Sequence, residues 1–220
     1  MASFFNLSLD TLAPAGVTLA INNGALYTAS AAVNLAVDCS DASKTGYSMK
    51  IWGSIANAAT EDAAIWEAYS ASKPVNLTTG DGLKTVYVKV RDAVWNESTA
   101  VSKTITLNTA IPVVTIVGPD VSIVSKVAGK DTSIFNFTSD QDFVEFKVGI
   151  VEADNSAQGT AIVIPTAGGS LNTSGTGSHS KSENIEVTIN GKDLQTAAGG
   201  ADGTFIIKTF VKNAAGTWSA

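Results

Sequence analysis

The side chains best suited to catalysis are few, because the 220 residues contain one histidine and one cysteine. His179 lies in the stretch GTGSHSKSE, which predicts an exposed, flexible loop, whereas a catalytic base is held rigidly beside a partner. Cys39 has no basic neighbour that would lower its thiol pKa, so we expect an inert buried thiol at the end of a strand. One Cys and one His cannot supply a zinc site. The sequence therefore predicts no catalytic residue, no cofactor and no metal ligand, and hence no enzyme.

Two pairs of carboxylates could in principle hold calcium together with loop carbonyls: Asp38 with Asp41, and Asp140 with Asp142. Neither stretch has the dense, regularly spaced acidic ligands of a calcium loop. We expect solvated carboxylates in turns.

Four tryptophans could form a platform on which sugar rings stack: Trp52, Trp66, Trp95 and Trp218. Trp52 and Trp66 lie in segments that are typical of a core or its flank. Trp95 and Trp218 fall within one position of each other when the two similar halves described below are aligned. Packing in the core or in a turn is favoured, and a glycan-binding aromatic pair is the alternative.

The charge and hydropathy of the chain restrict its partners. A net charge of −6 and a pI near 4.7 argue against a nucleic-acid partner, whose phosphates need clustered Lys and Arg. No long apolar run predicts a membrane span, and the N-terminal stretch has neither the charge nor the length of a signal peptide. With one cysteine, we expect folding in a reducing cytosol.

Three pairs of similar stretches indicate a tandem duplication. LDTLAP at 9–14 matches LNTAIP at 107–112, an offset of 98 residues. YSMKIWG at 47–53 resembles VEFKVGI at 144–150, with Lys50 aligned to Lys147. VRDAVWNES at 90–98 resembles VKNAAGTWS at 211–219, an offset of 121 residues. The second copy therefore carries an insertion, which we place at about 152–183 and predict to be a long exposed loop or hairpin.

Apolar residues alternate with polar ones in several short segments, for example at Val33, Leu35 and Val37. A period of two predicts half-buried β-strands, and Gly- and Asn-rich turns separate them. One exception is the Ala-rich stretch TEDAAIWEAY at 60–69, for which we predict a short helix. The sequence therefore predicts an all-β protein made of two β-sandwiches.

These residues resemble a known family. The pattern LDTLAPAGVTLAINNGALYTAS, then KTVYVKVRDAVWNES, then a second LNTAIP is similar to the bacterial immunoglobulin-like modules of surface proteins and bacteriophage structural proteins. The resemblance implies an N-terminal strand or arm at 1–8 and two tandem immunoglobulin-like β-sandwiches, at 9–107 and 108–220. The turn at Asp92–Asn96 departs from the family, because Trp95 stands where a glycine is usual.

The first half contains a closing strand that the second half lacks. In the first half VRDAVWNES is followed by TAVSKTITLNT, whose alternation predicts this strand; in the second half VKNAAGTWS is followed by a single residue. Meanwhile Phe5, Leu7 and Leu9 share one face of a strand-like segment at the start of the chain. A sandwich without its last strand exposes backbone groups and an apolar groove.

Two expectations follow for the N-terminal segment. One chain could donate its Phe5, Leu7 and Leu9 to the groove of another chain's second half, near Val211. Alternatively, residues 3–9 pair with their own first half, and the second half has an ordinary edge.

From the resemblance and the missing strand, we expect a bacteriophage virion structural protein of the tail, neck, baseplate or capsid decoration. It would assemble in the host cytoplasm with other copies of itself and other virion proteins. The alternative is a carbohydrate-binding or adhesive module at a cell surface, with a host-surface glycan as its ligand. An adhesin would normally carry an export signal.

Overall fold

The computed structural model describes residues 5–220, and within them the chain divides into two compact units. Unit 1 ends at Thr109, and unit 2 runs from Ala110 to Ala220. The strands of unit 1 are β1 (Thr18–Ile21), β2 (Tyr27–Thr28), β3 (Ala32–Asp38), β4 (Ser48–Gly53), β5 (Glu67–Ala68), β6 (Ser72–Asn76), β7 (Gly82–Arg91) and β8 (Val101–Leu107). Those of unit 2 are β9 (Val114–Val117), β10 (Thr132–Ser139), β11 (Phe143–Val151), β12 (Ile162–Val163), β13 (Ser174–His179), β14 (Ile185–Asn190) and β15 (Ile206–Lys212).

Unit 1 consists of two sheets that share one core. The first has the strand order β1-β3-β6 and the second β2-β8-β7-β4-β5. The alternation read from the sequence sets the inward faces: Leu35 on β3 and Val86, Val88 and Val90 on β7 are fully buried in one cluster. Two sheets enclosing one apolar layer is the arrangement of a β-sandwich.

The helix predicted at 60–69 is wrong. The segment forms turns and then β5, which pairs with β4 through Glu67 and Met49. Isolated helices of this length are marginal in water unless an apolar stripe is buried, and here Ile65 is exposed while Ala64 is buried. Pairing with β4 satisfies backbone groups that a single helical turn would leave open.

Unit 2 is also built from two sheets around one core. The first has the order β9-β10-β14; in the second, β11 is flanked on one edge by β15 and on the other by β12 and β13. Phe137 and Phe143 are almost completely buried, and Phe146 lies 5.3 Å from Phe137 between ring centroids. The described chain is therefore all-β apart from one short α-helix and two turns of 3-10 helix.

The insertion at 152–183 is more ordered than a long exposed loop. It contributes β12 and β13, both of which pair with β11 rather than with each other, so it is not a hairpin. Its Ile164 has no exposed surface and belongs to the core of unit 2. The insertion thus widens the sheet at the edge of β11 that faces away from β15.

The α-helix, α1 (Gly191–Ala197), begins at the stretch NGKD, which has the Gly- and Asn-containing composition from which turns are expected. Asn190 caps it by accepting a hydrogen bond from the Lys192 backbone N–H, at 2.9 Å. Asp193 accepts bonds from the backbone N–H groups of Gly168 (2.6 Å) and Ser170 (2.8 Å) and so ties the helix to the insertion. Burial raises the pKa of Asp193, but these hydrogen bonds outweigh it and hold the pKa below the ordinary carboxyl value. None of the helices formed by residues 5–220 has the length and apolar character needed to cross a membrane.

Candidate functional site

The two units repeat one strand pair in the same register. In unit 1, Ser48 of β4 pairs with Arg91 of β7. In unit 2, Glu145 of β11 pairs with Lys212 of β15. The sequence offsets of 97 and 121 residues relate these two pairs to each other. The resemblance between the halves therefore reflects the same backbone pairing.

A serine closes the turn after this strand in both units. The Ser98 N–H donates to the Val90 carbonyl at 2.8 Å, and the Val90 N–H donates to the Ser98 hydroxyl at 3.0 Å. Ser219 and Val211 make the same two bonds, at 2.8 and 3.1 Å. Each of these turns folds back and covers the end of its strand.

The side chain at the start of each turn also accepts backbone hydrogen bonds from later residues of the turn in both units. Asp92 accepts bonds from the backbone N–H groups of Val94 and Asn96, both at 2.9 Å, and Asn213 accepts one from Thr217 at 3.0 Å. Burial raises the pKa of Asp92, but the hydrogen bonds from Asn96 and Val94 outweigh burial and hold it below the ordinary value. The neutral Asn213 shows that the turn itself does not require a charge.

The turn geometry corrects the alignment of two tryptophans. Trp95 has φ 74° and aligns with Gly216, which has φ 89°. Trp218 pairs with Lys212, as Glu97 pairs with Arg91, so Trp218 aligns with Glu97. Trp95 and Trp218 are therefore two positions apart and are not equivalent. Trp95 thus holds a left-handed conformation that is usual for glycine.

The units differ at the second edge of this strand. In unit 1, β8 pairs with β7 from Gly82 to Val88. The matching part of unit 2 is residues 203–209, and no strand within residues 5–220 pairs with it on that side. We call residues 203–209 the open edge. Unpaired edges of this kind invite addition of a strand.

An apolar groove runs along the open edge toward the core of unit 2. Its larger part has a volume of about 580 Å³ and is walled by Phe205 and Ile207 on one side and by Ile116 on the other, with Phe135 and Ile189 among its lining residues. A second part of about 300 Å³ continues past Ile116 to Thr209. The groove lies between β9 of one sheet and β15 of the other.

In unit 1, side chains of β8 occupy the corresponding space beside β7, although a cavity of about 730 Å³ remains between β1 and the first half of β8. Ile105 and Leu107 of β8 point inward and are 1% and 2% exposed, and Leu19 on the facing strand β1 is 4% exposed. In unit 2, Ile116 pairs opposite the buried Phe137 and so faces the core, yet it is 44% exposed. The groove is therefore the space that the inward side chains of a closing strand would occupy.

A buried hydroxyl marks the same place. Thr209 is 3% exposed, and its Oγ1 has no hydrogen-bond partner within the described part of the chain. A buried polar atom without a partner costs on the order of 1–3 kcal/mol. Thr209 aligns with Val88, the last residue of β7 that pairs with β8.

The N-terminal segment is exposed rather than paired. Residues 5–15 belong to no strand, and Phe5, Leu7 and Leu9 are 85%, 87% and 88% exposed. The alternative expectation, that residues 3–9 pair with their own first half, is therefore wrong for residues 5–9, which join no sheet of unit 1. Residues 3 and 4 lie outside the described range. Neighbouring apolar side chains with this much exposed surface are typical of an interaction site.

Val211, named from the sequence as the receiving position, is fully buried, and both of its outward backbone groups bond Ser219. The accessible part of the strand therefore lies before it, at Phe205 and Ile207. Sequence reasoning missed Phe205 and Ile116. The signal was present in the alignment of DGTFIIKTFVK with DGLKTVYVKVR, which places Phe205 and Ile207 at positions 84 and 86 of β7, opposite β8.

The residues considered for catalysis have other roles. His179 is not in a loop: it ends β13, stacks on Phe143 with ring centroids 4.7 Å apart, and its Nδ1 lies 3.0 Å from Glu183. The hydrogen bond from His179 lowers the pKa of Glu183. Cys39 is buried as expected, and burial raises the pKa of its thiol.

The carboxylates considered for calcium bond protein groups. Asp140 accepts a bond from the Val113 N–H, and Asp142 accepts one from the Lys181 N–H, both at 2.7 Å. Asp38 pairs with Lys44. Residues 5–220 contain no group of three or more side chains placed to hold a metal ion.

The tryptophan rings of unit 1 stack against other side chains. Trp52 is buried and stacks on Tyr87 at 5.5 Å. The Arg91 guanidinium lies 4.3 Å from the centre of the Trp66 ring and 5.0 Å from that of Trp95. A sugar would have to displace Arg91 to stack between Trp66 and Trp95, which disfavours the glycan platform.

Comparisons with known proteins add little. No protein-family model and no curated protein matches the chain. Among solved structures, the chain is similar to the chitinase ChiA74 from Bacillus thuringiensis, with 10% sequence identity and a TM-score of 0.32. The match covers 92% of this chain but 30% of the chitinase chain, and a TM-score this low supports no conclusion on fold or activity.

Proposed function

We propose that the chain is a non-enzymatic structural protein that assembles through the open edge of unit 2. The observation that carries the proposal is the groove along residues 203–209, with core-facing Ile116 44% exposed on its wall. An apolar groove beside unpaired backbone binds an extended strand, since main-chain hydrogen bonds supply affinity and pockets for alternate side chains supply specificity.

We assign both units to the immunoglobulin-like β-sandwich class. Three things support this assignment. Each unit has two sheets around one core, antiparallel apart from the short parallel pair β2–β8. The β4–β7 and β11–β15 pairs repeat, and LDTLAP and LNTAIP resemble bacterial immunoglobulin-like modules. Such modules serve as structural elements in bacteriophage particles and on cell surfaces.

The setting that we propose is a bacteriophage virion, in which the chain is a tail, neck, baseplate or capsid-decoration component assembled in the host cytoplasm. Its partners there are other copies of the chain and other virion proteins. The acidic balance, −6 over 220 residues, suits contact with protein rather than with packaged nucleic acid.

Particle association tests this function. Lysate of the phage-producing host is separated on a density gradient, and the chain is quantified in each fraction by mass spectrometry. The proposal expects the chain to co-sediment with intact particles at a fixed ratio to the major capsid protein. A chain found only in soluble fractions, or one retained on host polysaccharide and released by free sugar, contradicts the virion assignment and favours the adhesive module.

A further inference from the structure

The strand that the open edge lacks has its closest counterpart at the start of the same sequence. Aligning LDTLAP with LNTAIP places Leu9 at the position of Leu107 and Leu7 at that of Ile105, the two buried side chains of β8. The segment after the strand is also equal in length, since Leu9 precedes the buried Pro14 by five residues, as Leu107 precedes the buried Pro112.

The polar positions agree as well. On β8, Thr104 and Thr106 alternate with the inward residues and face away from the core. Asn6 and Ser8 take these positions in the N-terminal segment. Residues 5–9 therefore carry the whole inward and outward pattern of a closing strand. Phe5 replaces Lys103, which is exposed on β8.

The pairing of β7 with β8 fixes the register. Gly82 pairs with Leu107, Lys84 with Ile105 and Val86 with Lys103. In the repeat, residues 5–9 take the place of β8 and residues 203–209 take the place of β7. The same register then places Leu9 opposite Gly203, Leu7 opposite Phe205, and Phe5 opposite Ile207. The last two positions form one wall of the groove.

We propose that residues 5–9 of one copy add to the open edge of a second copy's unit 2 in this register, antiparallel to residues 203–207. This inference rests on the proposed assembly function and names the partner of its site. Residues 5–9 make no sheet contact with any other part of residues 5–220, which leaves both the segment and the edge available to another copy. The contact is head to tail and therefore generates a ring or a filament.

An engineered disulfide tests the register. The Thr106 N–H donates to Leu26 on the β2 side, so the pair of Thr106 with Leu83 is a non-hydrogen-bonded pair, in which the Cα atoms of an antiparallel sheet approach most closely. The corresponding pair between copies is Ser8 with Thr204. Both side chains are exposed, and in the proposed register both take outward positions, as Thr106 and Leu83 do, so Ser8→Cys and Thr204→Cys disturb no core.

The full chain carrying both substitutions is oxidised and resolved on a non-reducing gel, with a mixture of the two single variants as a second arm. Buried Cys39 stays in place. We expect a covalent ladder from the double variant and a heterodimer from the mixture, with the 8–204 linkage identified by mass spectrometry. The matched control shifts the register by moving one cysteine to Phe205, which lines the groove. It should give at least about tenfold less linked product, because adjacent strand positions point to opposite faces.

The remaining outcomes overturn the inference in distinguishable ways. A cross-linked monomer means that the segment fills its own chain's edge. Oligomers that form without the 8–204 linkage, or equal linkage in the shifted control, refute strand donation but leave the assembly function standing. A chain that neither links nor associates at any concentration contradicts both proposals.

Discussion

A closing strand supplied within the same chain should stabilise unit 2 and block its assembly. The perturbation appends a copy of residues 100–108, AVSKTITLN, directly after Ala220. Because Ser219 aligns with Ser98, Ala220 takes the place of Thr99, and the appended strand begins with the spacing that unit 1 uses. The tail should pair with residues 203–209 as β8 pairs with β7.

The magnitude follows from the two inward side chains of this strand. Ile105 and Leu107 are 1% and 2% exposed in unit 1. Burying each is worth about 1.5–3 kcal/mol, or roughly 3–6 kcal/mol for the pair. The backbone cost of ordering the tail and the main-chain hydrogen bonds that offset it are the same for a tail of equal length without these side chains. Relative to such a tail we expect a gain of up to about 3–6 kcal/mol, which is a rise of roughly 10 °C or more in the midpoint of unit 2.

Calorimetry at a concentration low enough for the chain without the tail to be monomeric measures this shift, and unit 1 serves as an internal reference. The matched control tail carries serine at both apolar positions, so it keeps the backbone but loses the burial. Sedimentation should show that the apolar tail yields monomers. Equal midpoints for the two tails, or assembly undiminished by the apolar tail, would refute the view that the groove is the place of a missing strand.

Three further predictions concern the turns and the former catalytic candidate. Gly216→Ala should lower the unfolding free energy of unit 2 by about 1 kcal/mol in a urea titration, because a residue with a Cβ disfavours φ 89° even where space is open around it. Trp95→Gly, at the aligned position of unit 1, should cause no loss of unfolding free energy in unit 1. Asp92, whose pKa is lowered in the folded state, stabilises unit 1 above the ordinary carboxyl pKa of about 4, and this contribution is lost as the pH falls through the lowered pKa. Asp92→Asn should therefore reduce the acid sensitivity of unit 1 in a pH series of melting curves; an unchanged acid limb would contradict this role. His179→Ala should cost about 1 kcal/mol through loss of its ring stack and leave assembly unchanged, so loss of assembly in a folded variant would reopen a functional role for the histidine.

Periodic patterns predicted the strands well because burial on one face of a sheet dictates alternation. Leu35 and Val37 are almost completely buried where the pattern placed them. The repeat offsets reproduce the strand register of Ser48 with Arg91 in the pair of Glu145 with Lys212. These signals are local or are carried by the resemblance between the halves. Both signals can therefore be detected in the sequence without knowledge of tertiary contacts.

The errors arose where tertiary contacts override local preference. The stretch at 60–69 has Ala-rich helical propensity, but pairing of Glu67 with β4 decides its backbone. His179 lies in a Gly- and Ser-rich stretch, yet stacking on Phe143 holds it in a strand. The wall of the groove was missed because Ile116 reads as an ordinary core residue, and only the unpaired neighbour strand leaves it exposed.

The central claim, that residues 5–9 hold copies of the chain together, is tested most directly by the mass in solution of two matched variants. In one, Phe5, Leu7 and Leu9 become serine; in the other, the outward Asn6 becomes Ser and Ser8 becomes Thr. The account predicts oligomers for the native chain and the outward variant, and monomers with unchanged circular dichroism for the inward variant, across a concentration series. Equal assembly of the two variants would contradict it.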